Sequence, residues 1–129
     1  MKDEFNASKP IYFQLAERIN RQIVRNELHA GDKLLSVREM AVQSGVNPNT
    51  VQRTYSELER MGIVETRRGQ GTFVTENVDV LTNLRETMKE EYISNFVNDM
   101  KELGFSEDEM MAGLTDYFYA ANEKRGEQE

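Results

Sequence analysis

The stretch SVREMAVQSGVNPNTVQRTYSELERMG, Ser36 to Gly62, carries two helix starts and two helix stops in one short span. Ser36 and Glu39 have the S-x-x-E spacing of a capping box, in which each side chain satisfies a free backbone amide of the other residue. A short helix is therefore expected from about Val37 to Ser44, with Val37, Met40 and Ala41 inward and Gly45 as its stop. Asn47-Pro48 then places an N-cap residue before a proline at the first helical position, so a second helix runs from about Pro48 to Met61 and ends at Gly62. Two short helices joined by a Gly-containing turn of this length form a helix-turn-helix unit.

The second of these helices has two faces. Val51, Tyr55, Leu58 and Met61 make an apolar stripe, while Asn49, Gln52, Arg53, Ser56 and Arg60 recur on the other side. Asn, Gln and Arg are the side chains that hydrogen-bond bidentately to adenine or guanine edges in a major groove. Arg38, in the first turn of the preceding helix, reads equally as a solvated surface cation or as a contact to a base or phosphate.

Working outward, Tyr12, Leu15, Ile19 and Ile23 recur at helical spacing between Pro10 and Leu28. Ser8 and Pro10 mark the start of that helix, and His29-Ala30-Gly31-Asp32 reads as its stop. On the other side, Ile63–Thr66 and Thr72–Thr75 are β-favouring runs flanking Arg67-Arg68-Gly69-Gln70-Gly71, the pattern of a hairpin. Gly69-x-Gly71 resembles a fragment of a phosphate cradle, but a strand follows it and not the helix N-terminus that aims amides at an anion. A hairpin placed directly after a recognition helix is a wing, where glycines permit close approach to DNA and Arg67 and Arg68 offer charge to phosphates or a narrow groove.

From Asp79 a long stripe begins: Leu81, Leu84, Met88, Tyr92, Phe96, Met100 and Leu103, widened by Val80, Ile93 and Val97. Gly104 breaks it, Ser106 and Glu109 offer a second capping box, and Met110, Met111, Leu114, Phe118 and Ala121 form another stripe. Residues after Asn122 read as frayed and polar. The Met and aromatic side chains suit a core or a seam with a partner helix.

Composition narrows the function. The 129 residues include no cysteine and one histidine, which removes disulfides, thiolate nucleophiles and a His cluster for a catalytic metal. The acidic runs Glu90-Glu91 and Glu107-Asp108-Glu109 read as solvated faces, and no nucleophile, base and orienting group can be placed together, so no enzyme, cofactor or metal is expected. The start MKDEFN is polar where a signal peptide needs an apolar stretch, and no run suits a bilayer span, so a cytoplasmic protein without a membrane partner is expected. The net charge of −7 is unevenly spread: residues 1–78 carry 11 basic and 10 acidic side chains, residues 79–129 carry 5 and 13. Only the first part can approach a polyanion.

Four segments together resemble the winged-helix domain of the GntR family of bacterial transcription regulators: GDKLLSVREMA (Gly31–Ala41), GVNPNTVQRTYSEL (Gly45–Leu58), GIV (Gly62–Val64) and RRGQGTFV (Arg67–Val74). The resemblance covers about Lys9 to Val74 in family order, and the short helical tail is similar to the YtrA-like branch, whose two-helix tail dimerises. It implies that Arg38 reaches DNA, that Asn47, Asn49, Thr50, Gln52 and Arg53 face the major groove or its flanking phosphates, and that Arg68, Gly69 and Gln70 form the wing tip. Tyr12 is implied as a weaker phosphate contact. Leu35 stands where the family usually has proline, which leaves the turn before the second helix without a fixed φ.

The fold expected is mostly α with a small β-hairpin: a winged helix-turn-helix over residues 1–76 and a two-helix dimerisation arm over 77–129. Leu81, Leu84, Met88, Tyr92, Phe96, Met100, Leu114 and Phe118 are its expected dimer face. The function expected is a homodimeric repressor on an inverted-repeat DNA operator, with any small-molecule effector held between tail helices. The second reading of the same fold is a protein-interaction module without specific DNA binding.

Overall fold

The computed structural model describes residues 5–128 as α1 (Ile11–Val24), α2 (Val37–Ser44), α3 (Pro48–Arg60), β1 (Val64–Arg67), β2 (Gly71–Val74), α4 (Val78–Glu102) and α5 (Glu107–Gln128). Two units form, Met1–Glu86 and Thr87–Glu129. No helix among the described residues is long and apolar enough to cross a membrane.

In the first unit α1 and α2 both pack on α3, and α3 leads into β1. Leu15 and Ile19 of α1 meet the core with Val51 and Leu58 of α3, joined by Ile63, Val64 and Val74 from the hairpin. Burying each such side chain stabilises by about 1.5–3 kcal/mol. The apolar stripe expected on α3 holds at Val51, Tyr55 and Leu58 but not at Met61, which is 48% exposed. Met61 is the C-cap, and Ile63 takes the core position beyond it.

α1 is shorter than its periodicity suggested, ending at Val24 and not near Leu28. Asn26 adopts φ +65, a left-handed geometry that Asn tolerates better than most side chains, and the amides of Glu27 and Leu28 turn back to the Gln22 carbonyl. Its start is also plainer than expected. Pro10 is the N-cap with no side-chain cap, and Ser8 instead turns its amide and hydroxyl to Asn6 Oδ1.

The hairpin is one residue longer on each inner end than the β-branched runs implied. Arg67 pairs with Gly71, leaving Arg68-Gly69-Gln70 as the loop, closed by the Gln70 amide on the Arg67 carbonyl at 2.9 Å. A third extended segment, unforeseen in the sequence, runs along the other edge of β2. Gly31 donates to Val74 O, Val74 to Asp32 O and Leu34 to Thr72 O, at 2.8–2.9 Å, with Lys33 opposite Phe73. This covers an edge that would otherwise expose unpaired amides and carbonyls.

The first turns of α4 belong to the first unit. Asn77 Oδ1 caps them by accepting from the Asp79 amide, and Arg85 Nη1 donates to the Val24 carbonyl at 2.6 Å, a cation on the C-terminal end of α1. In the second unit, Gly104 at φ +86 ends the helix, and the Ser106–Glu109 capping box starts α5 with both reciprocal bonds. α5 continues to Gln128, past the fraying expected after Asn122; Glu123, Lys124, Arg125, Glu127 and Gln128 are strong helix formers around one weak one, Gly126.

Candidate nucleic-acid interface

The interface is built from the first turn of α2, the turn after it, the outer face of α3 and the hairpin tip. Ser36 Oγ accepts from the Glu39 amide at 3.1 Å, and the Glu39 carboxylate accepts from the Ser36 amide at 3.0 Å. Those bonds from Ser36, with Lys33 adding positive charge, hold the Glu39 carboxyl below the usual carboxylate range. Arg38 projects from this capped turn, exposed, with no hydrogen bond or ion pair among the described residues.

Gly45 at φ +68 closes α2, and its amide bonds back to Ala41 O. Asn47 Oδ1 then caps α3 by accepting from the Asn49 amide at 2.8 Å. One lone pair of that oxygen serves the cap, and the side-chain NH₂ keeps both of its donors for a ligand. The turn that lacks proline at Leu35 is held differently. Tyr55, buried in α3, donates its hydroxyl to the Leu35 carbonyl at 2.6 Å, and burial pushes that hydroxyl's pKa up, so it stays a donor.

On α3, Asn49, Gln52, Arg53, Ser56 and Arg60 are exposed and Thr50 is half-buried. They do not stand equally free. Arg60 pairs with Glu57, which holds the Glu57 carboxyl below the usual range. Gln52 Nε2 lies 3.5 Å from Ser56 Oγ, too long to constrain it. The guanidinium of Arg53 lies 3.9 Å above the ring of Tyr12. Thr54, outside the predicted stripe, is fully buried, its hydroxyl shared between the carbonyls of Thr50 at 2.9 Å and Tyr12 at 3.1 Å. The available signal was its place on the Val51, Tyr55 and Leu58 face, three residues after Val51, where a helical threonine can satisfy its hydroxyl on the carbonyl four residues back.

The two hairpin arginines differ. Arg67 stacks over Phe73 at 4.3 Å and approaches Glu65 at 3.9 Å, so it serves the hairpin itself. Arg68, Gly69 and Gln70 form the exposed tip, and the Arg68 side chain has no partner among the described residues.

The residues read as a dimer face are split between the units. Leu81 is half-buried and Leu84 is only 8% exposed in the single chain, both within the first unit. In the second unit Met88 and Met100 are half-buried, whereas Tyr92, Phe96, Leu114 and Phe118 are exposed, together with Met111, Tyr117 and Tyr119.

Comparison with known proteins bears on this arrangement. The family description "Bacterial regulatory proteins, gntR family" matches residues 11–74. The chain is 55% identical over 114 residues to the uncharacterized HTH-type transcriptional regulator YhcF of Bacillus subtilis, covering 88% of this chain and 94% of that one. It is 40% identical over 99 residues to the HTH-type transcriptional repressor YtrA of Bacillus subtilis, 76% of each chain. Among solved structures it is similar to a GntR family transcriptional regulator from Listeria monocytogenes, with TM-score 0.81, 40% identity and coverage of 87% and 98%. It is also similar to AraR(DBD) in complex with operator ORX1, with TM-score 0.52, 25% identity and coverage of 58% and 92%.

Proposed function

Because the chain belongs to the gntR family of bacterial regulatory proteins, transcription regulators that bind DNA, we propose that it is a cytoplasmic repressor acting as a homodimer on an inverted-repeat operator. The observation that carries this reading is the division of α3. Its inner side chains Val51, Thr54, Tyr55 and Leu58 are buried, while Asn49, Gln52, Arg53 and Ser56 stand open with the chemistry that base edges require. Arg38, Asn47, Asn49, Thr50, Gln52 and Arg53 then meet the major groove and its phosphates, and Arg68, Gly69 and Gln70 meet the minor groove. Similarity to a named repressor and to a domain bound to its operator supports both parts.

Residues 77–129 serve as the dimerisation arm in this reading. Tyr92, Phe96, Leu114, Tyr117 and Phe118 are large apolar side chains exposed on the tail helices, and such exposure supports an interaction face there. Leu84 is already largely covered within the single chain, so in this reading the residues after Glu86 supply most of that face. A two-fold dimer sets its two reading helices roughly 34 Å apart, or a multiple of that, and so reads an inverted repeat. The tail's 13 acidic against 5 basic side chains, counted from residue 79, suit a surface turned away from DNA.

The test is a footprint on DNA upstream of the protein's own gene, combined with light scattering for the dimer. A two-fold symmetric footprint lost in Arg38→Ala and Arg53→Ala supports the proposal, with about 1–3 kcal/mol lost for each base contact removed. Weak, sequence-blind binding instead favours a protein-interaction module.

A further inference from the structure

Arg53 stands on the exposed face of α3, four residues before Glu57, the spacing at which arginine and glutamate commonly pair on a helix. That pairing is not made. Glu57 is engaged by Arg60, and Arg53, whose charge also helps lower the Glu57 carboxyl, makes no hydrogen bond or ion pair with it or with any other described residue. Its guanidinium lies instead 3.9 Å above the ring of Tyr12, in the first turn of α1. The contact has a firm base: the Tyr12 carbonyl is 3.1 Å from the hydroxyl of fully buried Thr54, the residue directly after Arg53. Tyr12 and Arg53 also line one shallow depression with Ile11, Asn49 and Thr50.

From this geometry we infer that Tyr12 is a positioning residue for Arg53, holding the guanidinium on the α1 side of the reading helix before DNA arrives. The inference rests on the proposed DNA contact of Arg53. An arginine on an open helix face samples many rotamers, and ordering them on binding costs free energy. A ring beneath the guanidinium plane removes much of that freedom while leaving the N–H edges available, which a carboxylate partner would not. Tyr12 therefore acts on Arg53 through its ring face, separately from the weaker phosphate contact that the family resemblance implies for it.

Operator affinity by fluorescence anisotropy on the full chain tests this with Tyr12→Phe, Tyr12→Leu, Arg53→Ala and the double variant Tyr12→Leu/Arg53→Ala. Tyr12→Phe, which keeps the ring, should lose less than Tyr12→Leu. Tyr12→Leu should lose roughly twofold to fivefold, the scale of an exposed cation–π contact, and that loss should vanish in the Arg53→Ala background. In the free protein, the Arg53 side-chain proton resonances should be shifted upfield by the ring, kept so in Tyr12→Phe and relaxed in Tyr12→Leu. If Arg53→Ala binds as wild type, the DNA role of Arg53 fails. If Arg53→Ala weakens binding but Tyr12→Leu adds its full loss on top, or has none, only the positioning role fails. A loss in Tyr12→Phe equal to that in Tyr12→Leu makes the hydroxyl a direct contact and overturns the inference, as does the absence of the ring-current shift in wild type.

Discussion

Gly69 and Gly71 sit one residue apart on the wing, yet a side chain would meet different conditions at each. Gly69 has φ +76, near the left-handed well that Asn enters, and a Cβ built there meets nothing within 4 Å. Gly71 has φ +123, outside that well, and its Cβ would stand 2.8 Å from Lys33 Cε. The lysine end can swing aside, so the backbone angle is the larger part of the penalty, about 1–3 kcal/mol. Gly69→Asn should then stay within about 1 kcal/mol of wild type, whereas Gly71→Asn should lose about 1–3 kcal/mol. With a urea dependence of about 1.5 kcal/mol/M, the Gly71 variant unfolds roughly 0.7–2 M earlier. Far-UV circular dichroism in urea at one protein concentration measures this. Adding Lys33→Ala to Gly71→Asn should recover little, because the φ strain stays. Equal midpoints for the two variants, or full recovery by Lys33→Ala, would refute the reasoning.

The same geometry sets four further outcomes. Ser36→Ala should cost about 1 kcal/mol by removing the α2 cap, read from thermal unfolding. The Glu39 carboxyl is held low by its bonds from Ser36, so its contribution is complete above the ordinary carboxylate pKa of about 4.3 and fades as pH falls through the lowered value; Glu39→Gln should flatten the acid limb of the stability profile, and an unchanged limb contradicts the bond's role. Leu35→Pro should gain about 0.4–1 kcal/mol, since the Leu35 amide makes no hydrogen bond among the described residues and Leu34 is extended beside β2; a lower melting temperature would show the turn cannot hold proline. Arg68→Ala should lower the slope of operator affinity against salt by about one, and an unchanged slope removes its phosphate contact.

The local devices were legible in the sequence because their parts lie within a few residues of each other. The capping boxes at Ser36–Glu39 and Ser106–Glu109, the Asn47-Pro48 start, and the glycine stops at Gly45 and Gly104 all form as the sequence implies. Where a local signal failed, a neighbouring residue with a stronger one had acted first: Asn26 ended α1 before the Gly31 turn could.

By itself, then, the amino-acid sequence determined a winged helix-turn-helix with a helical tail, and which side chains of α3 face outward, because helical period and cap chemistry act over one or two turns. Only the tertiary structure decided how those outward side chains are held. The Tyr55 hydroxyl secures Leu35 across 20 residues and Thr54 secures Tyr12 across 42, links that no spacing rule contains. The same holds for Gly31–Leu34 as the third extended segment of the wing, and for the difference between Arg67 on Phe73 and the open Arg68. Arg67 is the last paired residue of β1, on the same face as Glu65 and beside Phe73, whereas Arg68 lies in the loop beyond the last pair, so adjacent arginines meet different surroundings because the strand pairing ends between them.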